Sequence, residues 1–384
     1  MKFSGEIYHR LENQETSIFA VMSGLAVQHG AINLSQGFPD FEVSPELIEL
    51  VAKYMRSGKN QYAPMAGVPE LRKAIAEKTE RCYGLWYNPE KEITVTAGAT
   101  QAIHSIIAAS VGPGDEVVIF EPAYDSYAPS VKMYGGVVRA VSLIPPAYRI
   151  DWEKVERLIN PKTRMIIINS PHNPTGSVLE QDDLLKLQDL CEGTDILILS
   201  DEVYQHLIYD GIRHESVCRY PKLARRSFMV GSFGKTFHAT GWKTGYVMAP
   251  ENLTANFRSV HQFMVFAVNT PVQCAIAEYL QDPAHYDHLG EFYQKKRDYF
   301  LEKIVRSRFN PVPCHGTYFQ LLDYSRITDK KEFDFARELT TQFGVAAIPV
   351  SSFYQNREEH HVLRFCFAKK EETLDKAAEI LCRI

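Results

Sequence analysis

Three short segments carry residue types that belong to chemistry. Ser170-Pro171-His172-Asn173-Pro174-Thr175-Gly176 follows the apolar run RMIIIN (164–169), Asp201-Glu202-Val203-Tyr204 follows DILILS (195–200), and Ser232-Phe233-Gly234-Lys235 closes SFMVGS (227–232). Together they offer an amide, a carboxylate, a phenol, a hydroxyl and an amine. An amine can attack a carbonyl, a carboxylate can hold a cation, and the others direct hydrogen bonds. Taken singly, each segment has a plainer explanation: Asn-Pro-Thr-Gly makes turns, an Asp at a strand end acts as a cap, and a lone Lys is solvated. Ligands in open α/β sheets bind beyond the carboxyl ends of strands, so segments in these places can face one pocket. In this order they describe a cofactor cradle.

The elements that must position them are legible as apolar runs. Between about 45 and 280, short β-branched runs alternate with amphipathic stretches, the pattern of a mainly parallel sheet with helices on both faces. The expected strands are EITVT (92–96), EVVIF (116–120), GVVRAVSL (136–143), RMIIIN, DILILS, SFMVGS and GYVMA (245–249). Runs such as MIII lack polar alternation, as strands buried on both faces do. From about 282 the order changes to a charged helix (286–308), GTYFQLLDY, a helix near 331–343, VAAIPVS, VLRFCFA and a helix from 371, which reads as a smaller α+β domain. The expected units are an arm at 1–25, a large domain at 46–281, and a small domain made of 26–45 with 282–384, because GFPD is turn chemistry before a helix starting at Pro45.

Composition narrows the class of function. The chain has 384 residues, 45% hydrophobic and 23% charged, with a formal charge of -5 and no long run of Lys or Arg, so neither nucleic acid nor a membrane surface is an expected partner. Seven widely spaced cysteines with no C-x-x-C pair read as free thiols in a reducing compartment, and no apolar run approaches a membrane span. The expectation is a cytoplasmic protein acting on small molecules. Several motifs fail on inspection. GSFGKT lacks the first glycine of a phosphate-binding P-loop, Met229 standing there, and no G-x-G-x-x-G follows the first strand. His214-Glu215 lacks the second His of a zinc helix, and Glu358-Glu359-His360-His361 reads as a solvated loop, so no metal site is expected.

At these residues the sequence resembles the class I aminotransferases of fold type I, which depend on pyridoxal 5'-phosphate (PLP). The resemblance runs through NLSQGFPDF (33–41), NQYAPMAG (60–67), NPTG, DEVY, SFGKTFHATGWKTGY (232–246) and LRFCFAKK (363–370). It implies a fold type I transferase in which Lys235 attaches the cofactor and carries the substrate proton. Asp201 pairs with the pyridine nitrogen, while Tyr204 and Asn173 reach its phenolic oxygen. The phosphate falls to Gly98, Ala99 and Thr100 at a strand-to-helix turn, to Ser232, and to Lys243, where many relatives carry Arg. Tyr124 matches the ring that stacks on the pyridine; the alternative is an ordinary aromatic at a helix start. Tyr62 matches a residue that reaches the neighbouring subunit's phosphate in a homodimer; the alternative is a packed aromatic.

For the substrate, the resemblance assigns Arg364 in VLRFCFA to the α-carboxylate, with Gly37 and Asn173 beside it; the alternative for Arg364 is a structural ion pair. Within the family the likeness is greatest to bacterial methionine aminotransferases, then to the kynurenine aminotransferase and glutamine transaminase group, from which Ala267 departs. The implied reaction moves the amino group of methionine and other large uncharged or aromatic amino acids to a 2-oxo acid. A kynurenine- or glutamine-type enzyme with cysteine-conjugate β-lyase side activity is the alternative. No second Arg can be placed to take a side-chain carboxylate. The candidates for the side-chain pocket are Ile18, Phe19, Phe38, Phe266, Phe353 and Tyr354. The fold also serves as a sensing module in transcription regulators, but those need a helix-turn-helix domain ahead of it, where this chain has about 25 residues.

Overall fold

The computed structural model describes residues 3–11 and 16–384. A two-residue strand, β1 (Ile32–Asn33), precedes the strands of the large sheet: β2 (Ile93–Thr96), β3 (Glu116–Glu121), β4 (Val137–Ser142), β5 (Thr163–Asn169), β6 (Leu197–Asp201), β7 (Ser227–Ser232) and β8 (Gly245–Met248). Five short strands follow: β9 (Asn310–Pro311), β10 (Phe319–Asp323), β11 (Val345–Ala346), β12 (Ile348–Pro349) and β13 (Val362–Cys366). All seven expected strands of the large sheet form, in the spatial order β2-β8-β7-β6-β5-β3-β4, and only β8 runs against its neighbours.

The apolar runs explain why this sheet is covered on both sides. Along β5, Ile166 and Ile168 join one buried cluster with Val118, Ile198 and Met229, whereas Met165 and Ile167 join a second with Val117, Leu199 and Val230. Alternate side chains of one strand point to opposite faces, so two clusters require a helical layer on each side. The second DILILS boundary moves: the strand spans Leu197–Asp201, and Asp201 lies in register with Val230 of β7 and Asn169 of β5. Asp201 is therefore the last residue of the central strand and not the first of the loop.

Helix starts follow the capping chemistry. Helix α1 (Ile18–His29) ends on Gly30 at φ 62°, α2 (Pro45–Arg56) and α3 (Pro69–Tyr83) each begin with proline, and α4 (Ala99–Ser110) follows Gly98 at φ 79°. Part of the expected arm lies outside the described residues, and α1 runs past its expected end at 25. The charged helix expected at 286–308 is two helices, Ala284–Asp287 and Leu289–Lys303. A Cβ at Gly290 would come within 2.6 Å of the Ile208 carbonyl, so the chain passes too close there for any side chain.

The last third of the chain forms a four-stranded antiparallel sheet, β12-β13-β10-β9. Strand β1 pairs in parallel with β11, Ile32 opposite Val345, and the Asp40 carboxylate accepts from Thr373 Oγ1 at 2.8 Å, so the segment before the large sheet lies against this part. Buried Glu332 corrects the reading of 358–361 as a solvated loop. Its carboxylate accepts from the amides of Ser351, His360 and Val362, and Glu359 accepts in turn from the Glu332 amide at 2.9 Å. No helix among the described residues is long and apolar enough to cross a membrane.

Candidate active site

The floor of the site is the end of the large sheet where β2, β7 and β8 meet. Gly98 takes a positive φ that side chains avoid, which turns the chain from β2 into α4 and leaves the first-turn amides of Ala99 and Thr100 without intrahelical acceptors. A Cβ on Gly245 would lie 2.7 Å from the Gly231 carbonyl and 3.1 Å from Gly98, so three glycine backbones close on one another here. The Lys243 ammonium packs over Gly98, and among the described residues it has no hydrogen-bond or ion-pair partner. Ser232 ends β7 beside it and precedes the one-turn helix Phe233–Thr236. Thr100 Oγ1 and the Tyr124 hydroxyl are 3.1 Å apart. Free amides at a helix start, a hydroxyl and an unpaired ammonium make an anion site.

Lys235, on that one-turn helix, reaches into the site. Its Nζ donates to the Tyr318 hydroxyl at 2.8 Å and to the Gly37 carbonyl at 3.3 Å, and lies 5.6 Å from the centre of the Tyr204 ring. Burial pushes its ammonium down to about 8. Asp201, 4% exposed, accepts from the Tyr127 hydroxyl at 2.6 Å and from the Val203 amide. Burial drives its carboxyl up to about 6 against the pull of these bonds and of Lys235. Asn169 ties the two segments together: its Nδ2 donates to the Asp201 carbonyl at 2.8 Å while its Oδ1 accepts from the Asn173 amide at 2.9 Å.

The opposite wall is built around Arg364 in the middle of β13, 1% exposed. One terminal nitrogen donates to Asn173 Oδ1 at 2.7 Å, the other to the Ser35 carbonyl at 3.2 Å, and Nε is buried with no partner. The guanidinium sits 3.9 Å from the centre of the Phe319 ring and 5.2 Å from those of Phe19 and Phe353. Among the described residues no carboxylate lies within ion-pair distance of it, and the Asp125 carboxylate acts on it only through space, which argues against a structural ion pair. Burial lowers its pKa to about 10. A buried guanidinium with an unused N–H and aromatic walls is built to receive a planar anion.

Of the sequence-predicted residues, Gly37, Gly98, Ala99, Thr100, Tyr124, Asn173, Asp201, Tyr204, Ser232, Lys235, Lys243 and Arg364 thus stand on facing walls, and Phe19 and Phe353 flank the clamp. Ile18 lines a groove of about 1110 Å3 with Tyr124, Asp125 and Phe353. Others stand apart within this chain. Tyr62 is 82% exposed and meets Phe266 edge to face, ring centres 5.2 Å apart. Tyr354 lines the same groove as Ile18 while its hydroxyl donates to the Leu143 carbonyl, and Phe38 packs under the Lys369 ammonium.

The sequence profile of aminotransferases of class I and II matches residues 29–381. The chain belongs to this family. It is a PLP-dependent type of aminotransferase by that membership, with the fold type I architecture seen in its structural neighbours. It is 48% identical to the methionine aminotransferase of Escherichia coli over 97% of both chains. A crystal structure of an Escherichia coli protein with a methionine aminotransferase function superposes with a TM-score of 0.97 at 47% identity, covering 99% of this chain and 100% of that one. The kynurenine–oxoglutarate transaminase of Dictyostelium discoideum is 32% identical over 96% of this chain and 94% of its own.

Three residues of this aminotransferase site escaped the sequence reading. Tyr127 belongs to the EPAYDSY segment but was passed over for Tyr124. Asn169 ends an apolar strand and looked like its polar stop. Tyr318, fully buried, comes from GTYFQ, 83 positions from Lys235 in sequence, and no local signal connects the two.

Proposed function

We propose that the enzyme moves the amino group of methionine and of other large uncharged or aromatic amino acids to a 2-oxo acid, using PLP as cofactor, as a cytoplasmic homodimer. The observation that carries this reading is the Arg364 clamp: a guanidinium for an α-carboxylate, bracketed by Phe19, Phe319 and Phe353, with no second arginine among its contacts. The likeness to the methionine aminotransferase of Escherichia coli supports the choice of methionine.

The residues present fit the cofactor. The unpaired Lys243 ammonium and the α4 amides suit its phosphate, and the lysine amine suits its aldehyde. Asp201 is a buried carboxyl raised to about 6, and a cationic ring nitrogen against it would hold it ionised. When bound, the cofactor supplies an aldehyde to take up the amino group and a ring to withdraw electrons. The protein residues do the rest. Arg364 and Asn173 would fix the substrate carboxylate, Tyr124 would stack against the cofactor, and the Lys235 amine would take the proton from the substrate α-carbon and later give it back. The aromatic walls favour a thioether or an aromatic ring by burial, about 25 cal/mol per Å2, and the Arg10, Lys132 and Arg357 cations that line the same groove make aspartate the substrate to set against methionine.

The exposed Tyr62 and Phe266 support a second subunit against that face. The deciding experiment is kcat/KM for methionine, phenylalanine, kynurenine and aspartate with one 2-oxo acid; aspartate ranking first would overturn the substrate reading. Sedimentation at enzymatic dilution tests the dimer.

A further inference from the structure

We propose that Tyr318 is a positioning residue that holds the free amine of Lys235 in line for proton transfer, and that it does so only while the Gly37 segment is seated. The inference deepens the reading above and rests on its assignment of Lys235 as the proton carrier.

The hydrogen-bond bookkeeping at Lys235 is one-directional. Tyr318 donates its own proton to the Gly37 carbonyl at 2.6 Å, so its oxygen faces Lys235 as an acceptor, 2.8 Å from Nζ. The same Gly37 carbonyl is 3.3 Å from Nζ. A neutral amine has two N–H bonds and one lone pair. With both N–H bonds directed at Tyr318 and Gly37, the lone pair is left to face the open side of the site. When the lone pair takes a proton it becomes a third N–H on that same side, and the other two bonds need not change. The amine then accepts and returns a proton at one atom without turning over.

Tyr318 cannot drift from this place. It is fully buried, its ring packs edge to face on Tyr204 at 5.2 Å and on Phe319 at 4.8 Å, and it lies against Tyr293 at 5.8 Å. Gly37 is held as closely: a Cβ there would lie 2.7 Å from the Phe319 ring. The three members come from different parts of the fold. Lys235 follows the large sheet, Tyr318 leads into β10 of the small one, and Gly37 belongs to the segment after β1 that also sets Ser35 on Arg364. Displacing that segment removes one acceptor from Lys235 and the proton partner from Tyr318 together. Seating of the carboxylate clamp is thereby coupled to alignment of the amine.

Tyr318→Phe keeps the ring packing and deletes the acceptor. Two measurements on the cofactor-loaded protein test it, with folding checked by thermal melting. With methionine deuterated at the α-carbon, the variant should lose about tenfold in kcat, with KM nearly unchanged and a larger isotope effect than the native enzyme. With the cofactor in its amino form, so that Lys235 is free, acetic anhydride labelling of Lys235 read by peptide mass should show its titration midpoint lowered by about one pH unit, because an acceptor that favours the ammonium has gone. An unchanged midpoint and isotope effect would overturn the proposal, as would a loss of activity expressed wholly in KM. Failure of the native enzyme to use methionine would instead reject the substrate reading and leave the labelling result standing.

Discussion

Arg364 donates to the side-chain oxygen of Asn173 at 2.7 Å, across the boundary between the small antiparallel sheet and the end of the large parallel one. The guanidinium proposed to hold the substrate is therefore oriented by a residue at the end of the large sheet, and this bond joins those of Lys235 to Tyr318 and Gly37 in bracing the two halves of the site. Arg364→Lys removes the planar fork while keeping the charge. It should lower kcat/KM by about a hundredfold for every amino acid tested, whatever its side chain. Steady-state kinetics on three amino acids would check this; a loss confined to one of them would place Arg364 at the side chain and not at the carboxylate.

Lys235→Ala should abolish the visible absorbance of the lysine-bound cofactor together with transamination. Among the described residues no other lysine both donates to Tyr318 and follows the end of a central strand. Spectra of the purified variant before and after added PLP decide it, and a coloured, active protein would move the attachment elsewhere.

Two buried groups set the pH behaviour. Lys235, held down to about 8, loses its proton far below the ordinary range, so kcat should climb through about pH 8 as the free amine forms. Asp201 acts on stability. Its folded pKa of about 6 lies above the 3.8 of an unfolded aspartate, so the native state binds the extra proton between about pH 4 and 6. Stability of the cofactor-free protein should therefore fall as pH rises through that window, and Asp201→Asn should recover about 3 kcal/mol at pH 7. The same substitution should cost several powers of ten in turnover, because the ring nitrogen loses its counter-charge. Denaturant melts at pH 4 and 7, native against variant, separate the two effects.

Lys243 stands over Gly98 in a left-handed conformation, φ 52°, with no partner for its ammonium among the described residues. Lys243→Ala should weaken cofactor binding by about ten- to a hundredfold and leave the substrate KM of the saturated enzyme nearly unchanged. Equilibrium dialysis against PLP gives the first number and kinetics at saturating PLP the second.

The cofactor floor was legible in the sequence because a parallel sheet announces itself locally. Apolar runs such as MIII and ILIL mark the strands, and the polar residues at their ends or just beyond, Asn169 and Asn173, Asp201, and Ser232 with Lys235, fall where ligands bind in open α/β sheets. The clamp was less legible. Arg364 was visible as a charge inside an apolar strand, but its neighbours Ser35 and Phe19 come from more than 300 positions away, and only tertiary packing joins them. Tyr127, Asn169 and Tyr318 were hidden for the same reason: each looks like an ordinary helix, strand-end or strand residue until its partner is known. Phe38 shows the opposite case: its aromatic character suits a substrate pocket, but its ring lies under the Lys369 ammonium and its carbonyl accepts from the same group.

The placement of Gly37, Tyr318 and Arg364 also sets an order in time. Residues 93–248, one continuous stretch from β2 to β8, hold the floor, whereas the wall facing it is drawn from a segment made before that stretch and two made after it. During synthesis β10 and β13 emerge last, so a chain that ends ahead of them carries Lys235 without Tyr318 or Arg364 beside it.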